Sequence, residues 1–266
     1  MLHIILFLLT LGSTYFVGGL FYCAALMSIL LAHEMGHYLM SRRYGIPATL
    51  PYFIPFPLSP FGTFGAIIKM KGVILDKKAL FDIGLAGPLA GFIVSLPCIV
   101  VGIKLSTLQP IEGNTGYLQL GDPLIFQILQ RLLVGKVPEG YDLVLHPLGY
   151  AGWVGMFVTA LNLLPAGQLD GGHVVFAVFG SKSRWIYGCT IAGMAMLAIF
   201  YNPGWLVLVI LLLVFGMRHP EPLDMKTELD GRRKMLAWGA LLIFLLAFTP
   251  SPFPGFDFED HGGIPV

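Results

Sequence analysis

Polar positions are rare along this chain, and they come in short clusters between long apolar runs at residues 2–18, 20–40, 80–103, 147–165, 184–201, 203–217 and 234–249. A helix rises 1.5 Å per residue and a bilayer core is about 30 Å thick, so roughly 20 apolar residues make one crossing. The pattern predicts an all-α polytopic membrane protein with about six or seven transmembrane helices, the shortest runs being marginal. Helix breakers separate the runs: Gly18 with Gly19, Gly45 with Pro47, Pro165 with Gly167, and the tight link Asn202, Pro203, Gly204.

Two connecting segments carry patterns of their own. Residues 46–72 open with Pro47, Pro51, Pro55, Pro57 and Pro60, which exclude a helix, and continue through Gly62 to Met70 with turn and strand formers. The prediction is a short interfacial or re-entrant β segment at the inner interface, where irregular backbone must pack on protein or line a wet cavity. Residues 104–146 include an amphipathic helical stretch from Pro123 to Leu133, expected to rest on the outer face.

Composition agrees with the runs. The chain of 266 residues is 56% hydrophobic and 12% charged, with a mean hydropathy of +0.79, which places it in a lipid bilayer and leaves no length for a large soluble domain. A formal net charge of +1 argues against a nucleic-acid partner. With the amino terminus inside, Arg42, Arg43, Lys69, Lys71, Lys77, Lys78, Lys182, Arg184, Arg218, Lys226, Arg232, Arg233 and Lys234 fall in inner loops, leaving Lys104, Arg131 and Lys136 outside. That bias follows the positive-inside rule. Cys23, Cys98 and Cys189 lie in apolar stretches with no CxxC spacing and read as packing residues. Residues 2–11 lack a basic leader and read as part of a span. The division expected is one integral membrane domain over 1–266, with further helices over 184–250 and a loosely ordered tail over 251–266.

Candidate chemistry begins at His33, Glu34, Met35, Gly36, His37. Histidines four apart on a helix share one face and can bind one zinc ion, with the intervening glutamate beside a metal-activated water. Glu34 lies within an apolar run, where an acid costs at least about 2.5–3.5 kcal/mol, and a bound metal offsets that cost. The competing reading, a structural hydrogen-bond cluster of buried histidines, supplies no such offset. Catalytic zinc takes three protein ligands. Of the fifteen acids, only Glu34 and Asp170 look committed to the interior, so Asp170 is the best third ligand, ahead of a reading as a helix cap or turn former. It follows Pro165 and precedes Gly171 and Gly172, a broken helix end at the same expected depth as HEMGH.

HEMGH in a span, the later LDGGH preceded by Asn162 and Pro165, and FGTFGA at 61–66 between them resemble the site-2 protease family of intramembrane zinc metalloproteases. The resemblance covers residues 20–180 in motif order. It implies a catalytic core over that range, one zinc ion per chain, His33, His37 and Asp170 as ligands, Glu34 as the acid/base, and cleavage of transmembrane protein or peptide substrates within the bilayer. Asn162 either donates to the tetrahedral oxyanion, orients a ligand or makes a polar contact between helices; His173 reads as a residue beside the ligands or at a helix start. Phe64, Gly65, Ala66 and Ile67 are candidate substrate-binding residues by strand addition, against a simpler role in anchoring the loop. Gly84, Gly87 and Gly91 are explained by close helix packing alone. The alternatives to a protease are a metal transporter and a non-catalytic zinc-binding scaffold. The expected location is a multi-pass protein of the cell membrane with its active site towards the cytoplasm.

Overall fold

The computed structural model describes residues 1–110, 119–215 and 222–254. Most of the predicted tail, residues 255–266, and Arg218 of the charge count lie outside the described residues.

The first two apolar runs form one stretch of helix, α1 (Leu2–Arg43), interrupted at Gly19, whose φ of 73° and ψ of −169° belong to glycine alone. The two halves fold back on each other there. Cys23 accepts a hydrogen bond from the Thr14 hydroxyl at 3.2 Å and lies 3.4 Å from the Leu11 carbonyl, positions that a straight helix would keep far apart. A hairpin follows, β1 (Tyr52–Pro55) antiparallel to β2 (Thr63–Ile67), extended by the Ala48 and Met70 bridge. It lies along the first half of α1: the His3 ring stacks on Tyr52 and the Ser13 hydroxyl donates to the Gly62 carbonyl. From His3 to Ser13 is about 15 Å of helix, so the hairpin reaches well past an interfacial position. Its tip meets Tyr22 and Tyr150, whose hydroxyls donate to the Phe61 and Pro60 carbonyls at 2.9 Å each.

The remaining elements are α2 (Lys77–Leu105), β3 (Thr107–Pro110), α3 (Leu124–Leu133), β4 (Tyr141–Val144), α4 (Pro147–Asn162), α5 (Asp170–Phe179), a 3-10 turn at Gly180–Lys182, α6 (Ser183–Phe200), α7 (Trp205–Phe215) and α8 (Gly231–Ala247). Among the described residues, three stretches are long and apolar enough to cross a membrane: Leu2–Arg43, Lys77–Leu105 and Asp170–Phe200. The amphipathic stretch is helical as expected. The antiparallel pair β3–β4 that flanks it was not anticipated, because Thr107–Pro110 and Tyr141–Val144 are short and far apart in sequence. Residues 166–183 lie between two predicted spans, with a helix start considered at His173; a helix begins at Asp170 and runs to Phe179.

Small residues set the spacing between helices. α2 runs antiparallel to the second half of α1 and to α4, with Gly102 against Gly149, Gly152 against Ile99 and Gly155 against Ser95 and Ile29. Hydroxyls inside the helices bond to the carbonyl one turn back, as Thr14 does to Thr10, Ser95 to Gly91 and Thr159 to Gly155, which satisfies them without water. The core joins Tyr22, Leu26, Leu30, Ile99, Trp153 and Met156.

A Cβ on Gly102 would sit 2.2 Å from the backbone of Gly149. Gly102→Ala should therefore lower stability by about 1–3 kcal/mol through overpacking, read as an earlier thermal unfolding midpoint in detergent; an unchanged midpoint would contradict this packing.

Candidate metal centre

α1 presents His33 and His37 on one face, one turn apart, six residues or about 9 Å from its end at Arg43. Both are buried, at 4% and 8% exposure, as is Glu34 at 8%. The face they occupy meets the glycines of α2 directly. A Cβ on Gly36 would lie 2.4 Å from the Ala86 carbonyl oxygen, one on Gly87 would lie 2.0 Å from His37 Nε2, and one on Gly91 would lie 3.2 Å from His33 Nδ1. Glycine at 87 and 91 makes room for the imidazoles, and Gly36 lets the two helices touch, which goes beyond general helix packing. The 84, 87, 91 spacing in the sequence does not reveal its partner.

His37 Nδ1 donates to the Ile83 carbonyl at 2.7 Å. A carbonyl can only accept, so Nδ1 carries hydrogen and a neutral ring turns its Nε2 lone pair inward. That contact was invisible in the sequence, because any residue supplies a carbonyl.

The third donor comes from a broken crossing. α4 runs towards the end of the molecule that carries Arg42, Arg43 and Lys77, stops at Asn162, and α5 resumes at Asp170 and ends near Lys77. α5 tucks against the break because Gly171 and Gly172 have no side chain: Cβ atoms there would lie 2.1 Å from the Leu163 carbonyl oxygen and 2.4 Å from that of Gly167. Asp170 occupies the first turn of α5, where the helix dipole favours a carboxylate. His173, one turn on, packs against Gly84, within 2.9 Å of where a Cβ would be.

His33 Nε2, His37 Nε2 and Asp170 Oδ2 form a triangle with edges of 3.2, 3.3 and 3.3 Å, the one such donor group among the described residues. Zinc bonds of about 2.0–2.1 Å at tetrahedral angles give ligand edges of about 3.3–3.4 Å. The donor set and its spacing fit zinc. An inward lone pair of His37 facing a carboxylate is unfavourable without a cation or an extra proton, which also favours a metal there.

Two further groups flank the triangle. Asn162 Nδ2 lies 3.4 Å from His33 Nε2, bringing that residue to the rim of the donor set. The backbone of Ile68, immediately after β2, approaches the Glu34 carboxylate. Lys69 bonds back towards the other strand, its carbonyl accepting from Thr49 N–H, so by strand alternation Ile68 turns its N–H to the open side. The hairpin thus ends at Glu34. Phe64 and Ile67 are exposed, Gly65 and Ala66 partly so.

Residues 21–200 match the model of peptidase family M50, the site-2 protease family. The chain belongs to that family. Among the M50 relatives it resembles are the probable zinc metalloprotease EGY1, chloroplastic, of Arabidopsis thaliana, 34% identical over 231 residues, which covers 84% of this chain and 41% of that protein. The probable zinc metalloprotease EGY2, chloroplastic, of Oryza sativa subsp. indica is 32% identical over 251 residues, 89% of this chain and 43% of its own length. The probable zinc metallopeptidase EGY3, chloroplastic, of Arabidopsis thaliana is 28% identical over 258 residues, 88% and 43% respectively. The chain spans less than half the length of these relatives.

Gly87→Ala should displace His37 and weaken zinc binding at least about tenfold, the scale seen when the surroundings of metal ligands are disturbed. Competition against a chelator of known affinity measures it; wild-type affinity would show that the imidazole is not seated on Gly87.

Proposed function

We propose that this protein is an intramembrane zinc metalloendopeptidase that cleaves transmembrane segments of membrane-protein substrates, in the manner of regulated intramembrane proteolysis. The observation that carries the reading is the triangle of His33, His37 and Asp170 with Glu34 beside it, within helices apolar enough for a bilayer. The relatives named as zinc metalloproteases support it.

In this reading His33, His37 and Asp170 would hold one zinc ion, whose Lewis acidity would lower the pKa of water towards neutrality and polarise the scissile carbonyl. Glu34 accepts the proton of the attacking water and passes it to the amine as the C–N bond breaks. The Ile68 backbone, on the open edge of the hairpin, lies close to the Glu34 carboxylate. Asn162, at the rim, serves as a donor to the oxyanion that forms on the carbonyl. An unwound substrate segment adds to the open edge of β2 along Phe64, Gly65, Ala66 and Ile67 and brings its peptide bond to Glu34.

The proposed catalytic core is 20–180, followed by C-terminal helices over 184–250 within one membrane domain. α4, broken but completed by α5, and the shorter α7 and α8 would bring the crossings to six or seven. The charge bias favours an active site towards the inner side of the membrane, taken in this reading as the cytoplasmic side of the cell membrane. A transporter would share the buried histidines and acid, yet has no need for a glutamate between the histidines as a proton shuttle.

Glu34→Gln should abolish cleavage of single-span peptides while keeping zinc, as followed by mass spectrometry with and without chelator; equal products from both proteins would overturn the mechanism. Gly65 has a φ of 93° that proline cannot adopt, so the edge is better tested at Ala66. Ala66→Pro should reduce turnover at least about tenfold with zinc retained, and unchanged turnover would remove strand addition.

A further inference from the structure

α8 and the segment before it lie beyond the residues that match the family, yet they are fastened to the start of α2. The Leu223 N–H donates to the Ile74 carbonyl at 3.1 Å and the Asp224 N–H to the Leu75 carbonyl at 2.9 Å. Asp76, next in line, caps α2 by accepting from the Ala79 N–H at 2.7 Å. Further along, Arg233 in the first turn of α8 lays its guanidinium on Asp82 of α2, Nε to Oδ1 at 2.8 Å and a terminal nitrogen to Oδ2 at 2.6 Å. The planar fork matches both carboxylate oxygens, which a lysine cannot do.

The fork is braced from both sides. Tyr44, directly after α1, donates its hydroxyl to Asp82 Oδ2 at 2.5 Å, and Arg233 reaches the Tyr44 oxygen at 3.2 Å. Asp230 holds the other terminal nitrogen at 2.5 Å. Burial, with Asp82 beside it, holds the Tyr44 phenol above its ordinary pKa, so it stays a donor. The side chains of Arg233 and Asp82 are only 21% and 18% exposed, which limits screening by solvent. The residue after Asp82 is Ile83, whose carbonyl receives His37 Nδ1.

We propose that Arg233 is a positioning residue for the metal centre: its fork on Asp82, braced by Tyr44, fixes the rotation and height of α2 that align the Ile83 carbonyl with His37. The C-terminal segment thereby sets how tightly the centre holds its metal. The inference rests on the zinc-protease reading above. It makes α8 more than a packing helix, because the tie falls one residue from the carbonyl that orients a ligand.

The test is zinc affinity of the purified full chain, by competition with a chelator, alongside thermal unfolding of the zinc-free protein. Arg233→Met should weaken zinc binding five- to tenfold, and Arg233→Lys at least threefold, since the ammonium keeps the charge but not the fork. The neighbouring Arg232, exposed and outside the fork, should tolerate methionine with wild-type affinity. Wild-type affinity in Arg233→Met, full recovery with lysine, or a lower unfolding temperature with unchanged affinity would each overturn the proposal. Should Arg233→Met fail to fold, Asp82→Asn takes its place with the same expectation and the same overturning result. Absence of zinc binding by the wild type would overturn the protease reading and this inference together.

Discussion

The close approach of α1 and α2 at Gly36, Ala86 and Gly87 is the constraint on which the centre depends. Two histidines one turn apart need a partner surface without side chains, because their rings occupy the space that a neighbouring Cβ would fill. The glycine face of α2 supplies that surface, and the carbonyl of Ile83 on the same helix selects the tautomer of His37. Glycine in a helix interior costs about 0.5–1 kcal/mol relative to alanine. The proposed centre requires it three times within two turns, at Gly84, Gly87 and Gly91.

The other parts of the proposed centre come from backbone that is irregular well inside the apolar body. The break between α4 and α5 delivers Asp170 at the depth of the histidines, and the re-entrant hairpin brings the Ile68 backbone close to Glu34. Such backbone survives in lipid only when its polar groups find partners in protein. Here the hairpin leans on the first half of α1 and on Tyr22 and Tyr150, while Gly171 and Gly172 let α5 settle against the carbonyls of the break. Both departures from regular helix end at the same few atoms. In the proposed mechanism, strand-like backbone beside Glu34 also gives an unwound substrate something to pair with, which a wall of helices does not.

Burying Glu34 and Asp170 is costly in isolation, and the same cost explains why the centre reads as metal-binding. Two histidine nitrogens and a carboxylate oxygen spaced 3.2–3.3 Å apart form a good cation site and a poor cluster of neutral groups. By contrast, the Arg233 and Asp82 pair neutralises itself and lies at the basic end of the helices, where it joins α1, α2 and α8 without a metal.

The sequence alone determined the apolar runs, the breakers between them and the helical spacing of His33, Glu34 and His37, because these follow from local chemistry at periods of one turn. Asp170 was also legible, as an acid with no soluble surroundings next to Pro165 and two glycines. The tertiary structure decided how deep the hairpin runs, that residues 170–179 are helix, and that Gly87 and Gly91 face imidazoles. It also decided that the Ile83 carbonyl meets His37 and that the Ile68 backbone comes close to Glu34. Backbone groups carry no identity in a sequence, and a glycine shows only that space is needed. Which atoms fill that space depends on contacts between residues some 50 or more positions apart, such as His37 with Gly87 and Asn162 with His33, and only the folded chain brings these together.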